Sequence, residues 1–415
     1  MSPSSTALPM QQLPSRQLGG GFDLLAGVRV LDLTTSIAGP YAGMLLGDLG
    51  AEVLKVERPR RGDDCRAWGP PFLDGESLWC LSVNRNKRSV TLDYAGDAGR
   101  AVLHDLVRVH DVVLVNLVAR AQRKLGIDHP SLARHRADLV HVSLTGFGLT
   151  GARADMPCYD LIAEGYSGVM DLTGESHDDP QRVGTPAADL IAGMDGAMIT
   201  LAALFDRART GRGHALDVAM VDSMTRFMSP RIVPYLGSGV VPARTGAKDS
   251  VIAVYQVFHA ADAPMNLALG NDAIWRRFWS AVGEPSVGED PRYATNAQRH
   301  AARAEIVARI ATILQTRTRD DWLQALAAAN VPAGPIYRAD EVAADPALQE
   351  RGVVYRLEAD GRAIPQVGLG IRVDGAPAGI RVAPPRLGEH TESVLAHLLG
   401  YDRERIARLR TDGIL

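Results

Sequence analysis

From residue 27 onward, short β-branched and aliphatic runs alternate with stretches whose apolar positions recur every three or four residues. GVRVLDLT (27–34), AEVLKVE (51–57), SVTLDY (89–94), DVVLVNL (111–117) and DLVHVSLT (138–145) have the composition of strands. PYAGMLLGDLG (40–50) and DAGRAVLHDLVRV (97–109) carry helical spacing between them. Strands apolar on both faces and separated by helices predict a parallel sheet covered on both sides, with ligands beyond the carboxyl ends of the strands. Attention therefore falls on the loops at 35–39, 57–66, 116–121 and 146–159.

Further along, Thr185-Pro186 has the form of an N-cap followed by a proline at the first helical position, which predicts one long helix over 186–209 closed by Gly211. Asp189 and Asp195 interrupt its apolar run, so it reads as a buried helix rather than a membrane span. The strand HALDVAMV and another helix follow. At 237–250 the composition turns to Gly, Pro and polar residues, which marks a crossing into a second domain. SVIAVYQVF and NLALG read as strands there, followed by helices near 272–283, 296–316 and 319–329, an α+β pattern. A terminal helix spans ESVLAHLLGYDRERIARLR.

A length of 415 residues suits two domains, and 46% hydrophobic with 22% charged residues is ordinary for globular chains. The net charge of −3 supplies no field to gather nucleic acid or an anionic membrane, so an anionic ligand must be held locally. Three widely spaced cysteines make neither a disulfide framework nor a zinc motif, which fits a reducing cytoplasm and no metal. Residues 1–22 lack periodicity and any signal-peptide core, and are expected to be a loose extension.

GFGLTG (146–151) matches a dinucleotide fingerprint, but the polar, proline-containing ARADMPCY behind it cannot open the helix such a site needs. Asp160 is the stronger clue. It stands where an apolar segment begins, one turn before Glu164. Its plain role is a helix cap worth about 0.5–2 kcal/mol. A like charge on the same helical face costs a few tenths of a kcal/mol, so the pair is not an optimised cap. A carboxylate among glycines (Gly165, Gly168) could act as base or as nucleophile toward an activated acyl group. No GxSxG motif and no coherent Ser/His/Asp set occurs. Arg58, Arg60, Arg61, Lys87, Arg88, Arg120, Arg123 and Lys124 stand near strand ends, either as solvated charges or as partners for a phosphorylated ligand.

GVRVLDLTTSIAGPYAGMLLGDLGAEVLKVERPRRGDD, NRNKRSVTLDY, VSLTGFGLTG, YDLIAEGYSGVMDLTG, ALFDRARTGRGHALDVAM, VPAGPIY and PPRLGEHTESVLAHLLGY, in this order, resemble the family III CoA-transferases, also called the CaiB/BaiF family. The resemblance runs from about residue 24 to the C-terminus. It implies an α/β fold with a large Rossmann-like domain (23–236 and 335–415), a small α+β domain (237–334) and an interlocked homodimer. It implies transfer of CoA between an acyl-CoA and a small carboxylic acid, with CoA as substrate and no permanently bound cofactor, through an aspartate that becomes an anhydride and then a CoA thioester. The motif places that aspartate at Asp160.

By the same carry-over, Ser36, Ile37 and Ala38 line the CoA and substrate channel, Arg58 meets the CoA nucleotide, and Leu92, Asn116, Leu117, Ala121 and Lys124 border it. Tyr159, Glu164 and an arginine such as Arg226, Arg231 or Arg244 are candidates for the acid substrate. The chain reads NLVARAQRKLG where many members carry an aromatic and RPG, and Glu164 where glutamine is common. YDLIAEGYSGVMDLTG is most like members that handle C4–C5 dicarboxylates such as succinate and mesaconate. The alternative within the fold is an α-methylacyl-CoA racemase, which typically has GHD where this chain has Cys158-Tyr159-Asp160.

Overall fold

The computed structural model describes residues 8–415. The chain divides into two compact units, a larger one of residues up to 169, 183–237 and 343–415, and a smaller one of residues 170–182 and 238–342. Residues 170–182 and 335–342, which the sequence pattern assigns to the larger domain, therefore belong to the smaller unit.

In the larger unit six strands, β1 (Arg29–Asp32), β2 (Glu52–Glu57), β3 (Lys87–Thr91), β4 (Val112–Val115), β5 (Val140–Thr145) and β6 (His214–Ala219), form one parallel sheet. Their order is β3-β2-β1-β4-β5-β6. Val30 lies opposite Val53 on one side and Val112 on the other. Because successive side chains point to opposite faces, each strand must be apolar at nearly every position to serve two cores. Leu31, Leu54, Val90 and Val113 face one core with Leu103 and Leu106 of helix α2 (Asp97–Arg108). Val30, Val53, Val112 and Val142 face the other, with Ala42 and Leu46 of helix α1 (Ala38–Asp48).

Four further helices frame the site: α3 (Ala119–Leu125), α4 (Asp160–Ser167), α5 (Ala187–Thr210) and α6 (Met220–Phe227). By length and composition α5 could cross a bilayer. Its buried face, Ala188, Ala192, Gly193, Gly196, Ala197, Thr200 and Ala203, instead packs in the fold. A Cβ at Gly193 would lie 2.7 Å from the Ala38 carbonyl oxygen, so two helix backbones meet there with no room for a side chain.

Several expectations change. Ser15–Gln17, expected to be loose, form a strand parallel to Val354–Ala359, with Ser15 opposite Arg356; residues 1–7 of that extension lie outside the described residues. The helix expected over 296–316 is two, Asn296–Ala301 and Arg303–Leu314, broken where Ala302 leaves helical geometry (ψ 15°). The terminal helix is also two, Thr391–His397 and Arg403–Thr411, separated around Gly400 in the left-handed region (φ 69°). No helix opens behind GFGLTG; turns run on until Asp160, as the proline-containing segment dictates.

The smaller unit has a three-stranded antiparallel sheet of Tyr255–His259, Pro264–Ala268 and Ala333–Pro335. Its core is aromatic, with Trp275, Phe278, Trp279 and Trp322 fully buried against Met265 and Ile310.

Candidate active site

The strand order reverses between β1 and β4, and in open parallel sheets the crevice at such a point opens at the carboxyl ends of the strands. A cavity of about 280 Å³ lies there, lined by Leu33 to Thr35 after β1, Arg58 after β2, Leu92 to Ala95 after β3, and Leu117 after β4. Arg58, Leu92 and Leu117 thus share one cavity. Asn116 braces it: its side-chain carbonyl accepts from the Thr35 N–H (3.1 Å) and its amide donates to the Thr35 carbonyl (2.7 Å). Ala121 is half-buried on α3 and Lys124 is exposed on its last turn; neither lines the cavity. Arg58 is ion-paired with Asp64 in exposed surroundings.

Beneath the loop after β1 lies a fully buried set of charges. Lys55 pairs with Asp63 at 2.8 Å and donates to the Thr34 carbonyl at 2.8 Å. The Asp63 carboxylate accepts from the Ser36 N–H at 2.9 Å, holding a non-glycine residue at φ 70°, a conformation that side chains resist. Lys87 pairs with Asp32 at 2.9 Å and donates to the Pro40 carbonyl at 2.7 Å. Lys87, the first residue of β3, is therefore a structural cation with no exposure, neither the solvated charge nor the phosphate partner that the sequence allowed. Burial pushes the Asp32 carboxyl up, but Lys87 and Lys55 overcome it and hold the group at about 2.

Ile37, at the N-cap of α1, lines a second cavity of about 330 Å³ with Trp79, Thr185, Pro186 and Leu190, while Ala38 is buried behind it. This cavity touches the start of α5, where the carboxyl groups of the site meet. Pro186, the N-cap of α5, offers no side-chain acceptor, and Thr185 does not supply the expected cap. Asp160 does. It is the first residue of α4, 9% exposed, and its Oδ1 accepts the N–H groups of Ala188 (2.8 Å) and Asp189 (3.2 Å). The residue that caps α5 thus lies 28 positions upstream of Ala188, the nearer of the two donors it accepts from.

Asp189 stands in the first turn of α5, and among the described residues nothing hydrogen-bonds to its carboxyl group. A helix N-terminus favours an anion by about 0.3–1 kcal/mol, less than one pKa unit. Burial, and then the charge of Asp160, outweigh this and push the Asp189 carboxyl up to about 7. Burial, Asp189 and Asp160 likewise push the Cys158 thiol up to about 11. The chain pattern offered only one clue to Asp189, an acid interrupting an apolar helix.

Glu164, one turn beyond Asp160, is fully buried and accepts the Val183 N–H at 2.9 Å. Tyr159 is 66% exposed. Arg244 lies in the smaller unit, donating to the Asp178 carbonyl at 2.6 Å. Arg226 is paired with Asp195 of α5.

Residues 25–391 match the family model described as CoA-transferase family III. The chain is 40% identical over 386 residues to a succinate–glutarate CoA-transferase of Agrobacterium fabrum, covering 91% of this chain and 96% of that protein. It is 36% identical over 348 residues to a succinyl-CoA:mesaconate CoA-transferase of Haloarcula hispanica, covering 81% and 86%. The crystal structure of a CaiB/BaiF family protein from Brucella suis superposes with a TM-score of 0.80 at 37% identity, covering 91% of this chain and all of that one. With a six-stranded parallel sheet, a cavity at its switch point and a paired-carboxylate centre, this chain belongs to CoA-transferase family III, and it is an enzyme that transfers CoA.

Proposed function

We propose that the enzyme moves CoA between an acyl-CoA and a C4–C5 dicarboxylate, with succinate, glutarate and mesaconate as the first acids to test, through a covalent aspartyl intermediate. The relatives' names support the choice of acids. One observation carries the mechanism: two carboxyl groups, Asp160 and Asp189, meet at the start of α5, one accepting two backbone N–H bonds and the other, among the described residues, accepting none.

The motif resemblance puts the nucleophile at Asp160. The geometry favours a division of labour. Asp160 already gives Oδ1 to two backbone N–H groups, which withdraw charge and fix it as the cap of α5. The Asp189 carboxyl, which no donor engages among the described residues and which burial and Asp160 make more basic, is on this reading the attacking group, with Asp160, the residue the motif names, as the alternative. Its carboxylate adds to the thioester carbonyl, the C–S bond breaks, and CoA leaves as thiolate with an acyl–aspartyl anhydride formed. The thiolate then adds to the aspartyl carbonyl and expels the first acid, leaving an aspartyl-CoA thioester. The incoming acid reverses both steps. The nucleotide and pantetheine of CoA occupy the switch-point cavity beside Arg58, Leu92 and Leu117, and the acyl chain occupies the cavity beside Ile37 and Leu190.

Intact-mass analysis during turnover with succinyl-CoA is the test. We expect an adduct in the wild type that hydroxylamine removes, none in Asp189→Asn, and a residual adduct in Asp160→Asn, whose side-chain oxygen still accepts both N–H groups. An adduct on Asp160 with Asp189→Asn fully active would return the nucleophile to Asp160. Crossing succinyl-, mesaconyl- and acetyl-CoA with free acids reads the substrate pair. Deuteration at the α-carbon of a 2-methylacyl-CoA in D2O without any acceptor acid would replace the transferase reading by the racemase one.

We also infer a cytoplasmic homodimer. Large apolar side chains of α4, α5, α6 and the segment after it, including Tyr166, Met198, Phe205, Phe227 and Leu236, are each 46–73% exposed, and large apolar surface left to water is the mark of an interaction face. The three free cysteines fit a reducing compartment.

A further inference from the structure

The smaller unit holds a cavity of about 460 Å³ that no step above uses. Its walls bring together Arg244 and Lys248 from one loop and Arg303 from a helix some sixty residues further on, with Ser176, Thr245 and Gln256 beside them. Among the described residues no carboxylate lines it. The cations are unevenly committed. Arg244 is 13% exposed, donates to the Asp178 carbonyl and stands 3.9 Å from Asp171, a residue 66% exposed, while its Nε is buried without an acceptor. Arg303 donates to the Asp249 carbonyl at 2.8 Å and reaches the Gln256 side-chain carbonyl at 3.4 Å. That bond occupies the acceptor end of a buried amide and leaves its NH₂ end as a further donor. Lys248 is exposed at the rim. A concave site with guanidinium, ammonium, hydroxyl and amide donors, and no lining acid to neutralise them, is complementary to a small anion, and planar guanidinium groups suit a carboxylate.

We propose that this cavity is a binding site for a small dicarboxylate dianion, held by Arg303 and Lys248 with Arg244 behind them. This extends the substrate class of the proposed function to a second place on the chain, but the binding it asserts stands without that function.

Calorimetric titration of the full-length protein with glutarate, butyrate and inorganic phosphate tests it, in the wild type and in Lys248→Gln, Arg303→Gln and Arg303→Lys. A residual heat from the active site is identified by repeating the titration in Asp189→Asn. Glutarate is expected to bind at least tenfold more tightly than butyrate, to weaken at least tenfold in Lys248→Gln and Arg303→Gln, and to recover most of its affinity in Arg303→Lys, with unchanged circular dichroism throughout. Unchanged glutarate affinity in both glutamine variants overturns the proposal. Butyrate binding as tightly as glutarate, or phosphate more tightly, overturns the dicarboxylate assignment. In the transfer assay, a glutarate KM raised tenfold with the succinyl-CoA KM unchanged supports an acid subsite, and lost binding with both KM values unchanged supports a separate effector site. Absence of transferase activity with glutarate binding intact would sink the function and leave the anion site standing.

Discussion

At the scale of single residues, the distinctive feature is two carboxyl groups sharing one helix start with opposite assignments. Asp160 accepts two backbone N–H bonds, and Asp189 is made a weaker acid first by burial and then by its neighbour's charge. On the proposed assignment the ionised form of Asp189 attacks, so kcat/KM for acyl-CoA should rise with pH through about 7. Removing the Asp160 charge makes ionisation of Asp189 easier. Asp160→Asn should therefore move that limb to lower pH, and a pH–rate profile over the acidic to neutral range checks it; a limb that stays in place would show that Asp160 does not act on Asp189. For stability the sign is reversed. The raised Asp189 pKa contributes stability below the ordinary carboxyl range, and this is lost as pH rises through about 7.

Elements show how close packing sets the site. Helix α5 approaches α1 through a face of small residues, and Gly193 sits where a Cβ would strike the Ala38 carbonyl and come within 3.0 Å of the Tyr41 ring. Gly193→Ala should destabilise the protein by about 1–3 kcal/mol through overpacking. It should also displace Ala188 and Asp189 from Asp160, lowering kcat more than it raises the KM for acyl-CoA. Urea denaturation beside steady-state kinetics separates the two effects, and an unchanged kcat would mean that the start of α5 is not set by this contact. The buried charges beneath the loop after β1 fix that loop in a similar way. Losing one partner of a buried pair typically costs about 3–5 kcal/mol, so Lys87→Met should unfold at markedly lower urea than the wild type.

For the whole molecule, the exposed apolar faces predict association. Sedimentation velocity should give twice the 44.5 kDa chain mass, and Phe205→Glu should shift it toward one chain; a wild-type monomer at micromolar concentration would reject the dimer. The six parallel strands and their helices were legible in the order of residues, because a strand buried on both faces must be apolar almost throughout and a helix must repeat its apolar positions each turn. Topology points to the loops at the carboxyl ends of the strands, and the switch-point cavity opens there. That Arg58, Leu92 and Leu117 line it together came from the family resemblance and the folded chain, since Leu92 lies outside the loops that topology alone singles out. What the chain could not reveal was pairing across distance. That Lys87 is spent on Asp32, that Asp160 caps a helix 28 residues away, and that Ser15–Gln17 joins a strand near residue 356 depend on contacts between segments with no shared period. Local sequence determined which segments form helices and strands, since periodicity and propensity act within a few residues. Only the tertiary structure decided which carboxyl caps α5 and which becomes the weaker acid, because burial and neighbouring charge exist only once the segments have met.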